Sequence, residues 1–152
     1  MPDSNLTKHA LAQAMKDLMR TEPFSKISVG DICQACSMSR KSFYYHFRDK
    51  YDLVNWIFDS EFLQTIRPEA YHSGWALLAD MCAYFYREQT FYRSALLITG
   101  QNSFREYFGQ AIAPIMSFFA QDIFDGVEHV DFYVTFFSDA ILISIIRWLT
   151  EG

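Results

Sequence analysis

The run "FYVTFFSDAILISIIRWL" at residues 132–149 limits the possible folds more than any other stretch of this chain. Its apolar residues include Phe132, Val134, Phe136, Phe137, Ile141, Leu142, Ile143, Ile145, Ile146, Trp148 and Leu149. At helical spacing they fall on nearly every side of one cylinder, which must then be covered all round. The run approaches the length of a membrane span, but Ser138 and Asp139 sit at its middle and Arg147 near its end. An unpaired carboxylate at mid-bilayer is costly, so the sequence predicts a buried interface helix and no membrane span. A chain of 152 residues cannot easily cover such a helix alone. The economical arrangement is a homodimer in which each subunit contributes this helix, about 128–150, and the one before it, about 102–123. Phe118, Phe136, Phe137, Ile141, Ile145 and Trp148 are the expected interface residues.

The rest of the chain reads the same way. No stretch alternates apolar and polar residues with the turn dipeptides a sheet needs, so the fold class is all-α. Ser4 or Asn5 can cap a first helix reaching about Arg20, with Leu6, Ala10, Leu11, Ala14, Met15 and Leu18 as one buried stripe, and Pro23 ends it. "SVGD" at 28–31 opens a short helix through Cys36, and Ser37 or Ser39 caps a second short one over Arg40 to Tyr45. Asp49 caps a longer helix with Tyr51, Leu53, Val54, Ile57, Phe58 and Phe62 as its apolar positions. Two short helices joined by a tight turn and braced by longer ones make a helix-turn-helix unit. This places a head at 1–50, a connecting helix at about 49–66, and a helical body at 67–152. Within the body, helices are predicted from Gly74 through "WALLADMCAYFYREQ", at 90–98, at 102–123 with Pro114 as a kink, and at 128–150.

Charge divides along the same boundary. Residues 1–50 hold 8 Lys+Arg against 5 Asp+Glu, net +3, whereas the remainder holds 5 against 13, net −8. A basic head on an acidic body points the head, and not the body, at a polyanion. Three cysteines and no signal peptide in "MPDSNLTKHALAQAM" suit the reducing cytoplasm. Cys33-x-x-Cys36 has the spacing of half a zinc site, but there is no second pair and Cys82 is distant, so no metal and no other cofactor is expected. No nucleophile–base pairing or glycine-rich phosphate cradle is evident, so an enzyme is not expected.

The chemistry concentrates in "SMSRKSFYYHF", residues 37–47. In a helix-turn-helix the second short helix enters the major groove with its first residues at base edges, while flanking groups grip phosphates. Arg40 and Lys41 stand in that first turn, where a guanidinium can pair with both acceptors of a guanine. Ser42 is small enough for close approach; Tyr44, Tyr45 and His46 can reach phosphates, and Lys50 adds a cation at the start of the next helix. Phe43 and Phe47, four apart, are expected to pin this helix to the head's core.

Residues 27–54, "ISVGDICQACSMSRKSFYYHFRDKYDLV", resemble the DNA-binding region of the TetR family of transcriptional regulators. The matching elements are Ile32-Cys33, the turn Ser37-Met38-Ser39, Tyr44-Tyr45-His46-Phe47, and Lys50 with Leu53. The resemblance implies Arg40, Lys41, Ser42 and Tyr44 as base-contacting positions and Ser28, Tyr45, His46 and Lys50 as phosphate contacts. It further implies a dimer on a pseudo-palindromic double-stranded DNA operator, acting as a repressor under control of a small effector. Where the family has a turn glycine this chain has Ser37, which must take an uncomfortable backbone angle if the turn is unchanged. The compact size and aromatic second half also look like a small subgroup that includes regulators of dihydroxyacetone kinase operons. Some of these act as coactivators through a protein partner, the alternative reading here. Chains of that subgroup usually continue past the last helix, whereas this sequence stops at "TEG", leaving room for a short further C-terminal segment.

Family bodies often enclose an effector. In this body the rings at helical spacing make Trp75, Tyr84, Phe85, Tyr92, Phe104, Tyr107, Phe108 and Phe118 the candidate pocket residues. Arg93 and Arg105 would favour an anionic effector.

Overall fold

The computed structural model describes residues 4–100, 103–121 and 123–152. Eight α-helices and no strand occupy the described residues: α1 Ser4–Leu18, α2 Val29–Ala35, α3 Arg40–His46, α4 Lys50–Glu61, α5 Gly74–Arg87, α6 Gln89–Ala95, α7 Phe104–Ala120 and α8 Val130–Glu151. The all-α expectation holds, with helix ends displaced by one to a few residues; the expected α7 start at 102 lies outside the described residues.

Capping chemistry sets these starts. Ser28, Ser39, Asp49, Ser73 and Ser103 each accept a hydrogen bond from the backbone N–H three residues on. Each such cap is worth about 1 kcal/mol. At α2 the box is reciprocal, because Asp31 accepts from the Ser28 backbone N–H at 2.7 Å. Ser39, not Ser37, caps α3, because Ser37 has a different task. Its φ of 55° is left-handed, and it closes α2 by donating from its N–H to the Gln34 carbonyl at 3.3 Å while Met38 donates to Cys33 at 2.8 Å. These paired bonds are the Schellman termination, usually made with glycine.

In the head, Leu11, Ala14, Met15, Ile32, Phe43, Phe47, Leu53 and Ile57 are buried together, and the Phe43 and Phe47 rings lie 5.7 Å apart. Leu6, expected on the α1 stripe, is exposed because that stripe extends past the end of the core. α4 belongs to both cores. Its Leu53, Val54 and Ile57 pack in the head, while Phe58 meets six rings, those of Phe62, Tyr84, Phe85, Tyr92, Phe104 and Phe108, at centroid distances of 5.4–6.4 Å.

α8 lies along α7 and α6 and buries Val134, Ser138, Leu142, Ile145 and Leu149 as a single stripe. The Arg93 guanidinium donates to the Leu149 carbonyl and ties α6 to its end. By length and composition α8 could cross a membrane, but its stripe packs within the fold and Ser138 returns its hydroxyl proton to Val134 at 2.7 Å. Pro114 falls inside α7 on an exposed position and, having no N–H, cannot make the usual helical bond to the carbonyl of Gln110, itself an exposed residue.

Candidate nucleic-acid interface

α3 presents the groups the sequence singled out. Arg40 and Lys41 are exposed in its first turn, Tyr44 is 56 % exposed and Tyr45 82 % exposed. Among the described residues no ion pair holds Arg40 or Lys41. The Arg40 guanidinium lies above Gly30, with Nε 3.8 Å from where a Cβ would stand, and close enough to Asp31 to help lower that carboxyl's pKa. The larger causes of that lowering are the two bonds from Ser28. Ser42 is half-buried at the cap, Tyr44 stands edge-on to Phe43, and His46 is half-buried between Tyr45 and Phe47. Aromatic packing thus fixes the ring directions while Tyr45 keeps its phenol free of any protein partner among the described residues.

Two expected phosphate contacts are corrected. The Lys50 ammonium turns inward, donating to the carbonyls of Phe24 at 2.7 Å and Ile27 at 2.8 Å, and sits 4.2 Å from the centre of the Phe24 ring. Burial pushes its pKa below the ordinary lysine value. It is a brace between α4 and the segment before α2: the Phe24 carbonyl already accepts from the Ile27 N–H at 3.2 Å and takes Lys50 as a second donor, while the Ile27 carbonyl has no other donor among the described residues. Ser28 gives both its amide and its hydroxyl to Asp31, at 2.7 and 2.6 Å, so neither is free for a phosphate. Two exposed cations that sequence reasoning passed over, Lys26 and Arg48, belong to the same head. The Arg48 guanidinium meets Asp49 at 3.5 Å, and its backbone N–H donates to Asp52 at 2.9 Å. The head's net positive charge was the signal for them.

The effector pocket expected in the body is also corrected. Phe85, Tyr92, Phe104 and Phe108 are fully buried and in mutual ring contact, and Tyr84 is buried with its hydroxyl 2.6 Å from that of Tyr92. Phe58 fills the space between them, so they form core and not cavity walls. Tyr107 is half-buried and donates to Asp59 at 3.5 Å. Burial raises the phenol pKa of all three tyrosines, that of Tyr107 to about 12. Trp75, in the first turn of α5, is 80 % exposed, and Phe118 is 43 % exposed, so neither lines an enclosed site.

On the expected dimer face, Phe118, Phe136, Phe137 and Trp148 are exposed and Ile141 is half-buried. Ile145 is corrected: it is 3 % exposed, on the stripe α8 turns to its own subunit. Trp148 stacks on Tyr86 with centroids 6.1 Å apart. Cys33 is buried and Cys36 half-buried, burial pushes both thiols up, and the described residues contain no cluster of ligands able to hold a metal ion.

A capped short helix, a tight turn and a second capped helix with an open basic tip, carried on a helical body, define a helix-turn-helix regulator. Comparison with known proteins narrows the class. The pattern of "Bacterial regulatory proteins, tetR family" matches residues 11–57, and that of "Transcriptional regulator C-terminal region" matches residues 75–152. The chain belongs to the TetR family of transcriptional regulators, which are not enzymes. It is 32 % identical over 109 residues to the HTH-type dhaKLM operon transcriptional activator DhaS of Lactococcus lactis subsp. lactis (strain IL1403). That match takes in 71 % of this chain and 57 % of the relative, so the chain spans little more than half the relative's length. The solved structure of a dihydroxyacetone kinase operon activator DhaS shares the fold, with a TM-score of 0.71, 24 % identity, and coverage of 97 % of this chain and 86 % of that one.

Proposed function

We propose that a homodimer of this chain binds a pseudo-palindromic DNA site in the cytoplasm, one α3 in each of two major grooves. Arg40, Lys41, Ser42 and Tyr44 approach base edges, and Tyr45 and His46 approach phosphates. The observation that carries this reading is the tip of α3, where Arg40, Lys41 and Tyr45 are all exposed and unpaired among the described residues. The apolar side chains left open on α7 and α8, above all Phe118, Phe132 and Phe136, support the dimer, since a water-exposed patch of such rings is unfavourable. Activation is the favoured direction of control, because the Lactococcus relative is described as an operon activator and, among the described residues, Phe58 packs into the ring cluster where the repressor scheme would need a pocket. Action through a protein partner, without direct base contacts, is the second reading, favoured by the apolar residues of α5 and α8 that flank the Tyr86–Trp148 stack.

The test is a titration of DNA from upstream of the chain's own gene over a range of salt. Binding should weaken with salt as counterions are released. R40A or K41A should each cost about 1–3 kcal/mol, or about 5- to 150-fold in affinity. A folded dimer whose DNA binding ignores both salt and these substitutions would overturn the reading. Normal regulation by R40A/K41A in cells would instead favour the protein-partner route.

A further inference from the structure

The head meets the body around Lys16 of α1. Its ammonium is 2.8 Å from Glu61 of α4 and 3.1 Å from Glu88, the residue between α5 and α6, and its side chain is only 13 % exposed. Behind it Glu61 accepts from Tyr84 at 3.2 Å, and Tyr84 continues to Tyr92. In front of this network opens a cleft of about 240 Å³, lined chiefly by Gln13, Lys16 and Arg20 from the head and Arg87, Glu88 and Thr90 from the body.

The charges in the cleft do not balance. Three cations line it against Glu88, with Glu61 just behind Lys16, so the local net is +1, although residues 51–152 as a whole carry −8. Lys16 is satisfied by its two glutamates. Arg20 and Arg87 are exposed and have no ion pair among the described residues. Two guanidinium groups that share a depression repel each other unless an anion lies between them. Thr90 adds a hydroxyl donor, and Gln13, whose amide already donates to Asp17 at 2.9 Å, has a second N–H to give.

We propose that this cleft binds a small phosphate monoester, held between Arg20 of the head and Arg87 of the body. A monoester carries close to two negative charges at neutral pH, one for each of the two arginines that have no ion pair among the described residues. Its tetrahedral oxygens can meet donors converging from several elements, which a planar carboxylate cannot do as fully. The volume exceeds that of a phosphate ion and leaves space for a short carbon chain or sugar. An occupant would join the two halves directly, so the inference extends the regulator reading by assigning an effector class and a place.

Calorimetric titration of the whole chain, without DNA, tests it with ribose 5-phosphate, inorganic phosphate and succinate. Ribose 5-phosphate should bind saturably, one per chain, and more tightly than the other two. R20A and R87A should each weaken it at least tenfold, E88Q should tighten it several-fold, and R105A should leave it unchanged. If either arginine variant unfolds, R20K, R87K and E88Q supply the same comparison. Absence of saturable binding, or binding indifferent to Arg20 and Arg87, overturns the site. Equal or tighter binding of inorganic phosphate or succinate overturns the monoester assignment. DNA affinity is measured separately: a chain that binds DNA but not the monoester loses this proposal alone, and one that binds the monoester but not DNA loses only the regulatory reading.

Discussion

Replacing Ser37 with glycine should make the protein more stable, although it removes a side chain and creates no contact. Ser37 has φ 55°, and an L-residue in the left-handed region pays about 1–2 kcal/mol against the right-handed one because its Cβ crowds the backbone. Glycine escapes that strain but loses more backbone entropy on folding, about 0.5–1 kcal/mol. The difference leaves a net gain of about 0.5–1 kcal/mol for S37G. At this chain length 1 kcal/mol moves the melting midpoint by about 2–4 °C, so a rise of about 1–4 °C is expected. The two bonds that end α2, from Ser37 to Gln34 and from Met38 to Cys33, are backbone bonds and survive the change, so DNA affinity should stay within about twofold. S37V, with a branched Cβ in the same conformation, should melt lower than the parent. Thermal and urea unfolding at one fixed protein concentration reads all three chains, which removes the concentration dependence that the proposed dimer would bring. A lower midpoint for S37G than for the parent, or S37V matching S37G, would refute the turn geometry from which the figures come.

Three further outcomes follow from the packing. K50M leaves the Ile27 carbonyl without its donor and takes one of two donors from Phe24, so it should lose about 1–3 kcal/mol in urea unfolding, while the salt slope of DNA binding changes by much less than one phosphate's worth. F136E places a charge on a side chain that is 56 % exposed in the subunit, so light scattering should show a monomer whose helical content by circular dichroism is unchanged. Tyr84, Tyr92 and Tyr107 have raised folded pKa values, that of Tyr107 reaching about 12, so the folded state holds these protons longer than the unfolded one. Their contribution is therefore complete below about pH 10 and is lost as pH rises through the folded values; urea midpoints from pH 8 to 11 should fall only in the upper part of that range.

The head was far more legible than the body, and the difference is physical. Caps act over three residues, so Ser28 and Asp49 announce α2 and α4 from local spacing alone, and the same spacing narrows the cap of α3 to Ser37 or Ser39, of which the structure uses Ser39. The 43/47 pairing of phenylalanines follows the same local logic. Lys50 is misread because its partners lie 23 and 26 residues earlier, and nothing near it signals that the Ile27 carbonyl there needs a donor. In the body, rings recurring at helical spacing are the same pattern whether they wall a cavity or close it. The residue that decides, Phe58, comes from a different helix. Ile145 and Ile143 differ by two positions and so stand on different sides of α8, one buried and one exposed; a helix apolar all round does not show in advance which side faces its own subunit.

α4 is one rigid rod with each end embedded in a different half of the molecule. Turning it by even a few degrees about its length would swing Leu53 and Ile57 out of register in the head's core, where α4 packs on α1, while forcing Phe58 against five rings of the body that are themselves buried. Head and body consequently share an axle rather than a hinge. A fragment cut anywhere along 50–61 would strip one half of the floor it rests on, so neither half should survive alone as a well-ordered domain.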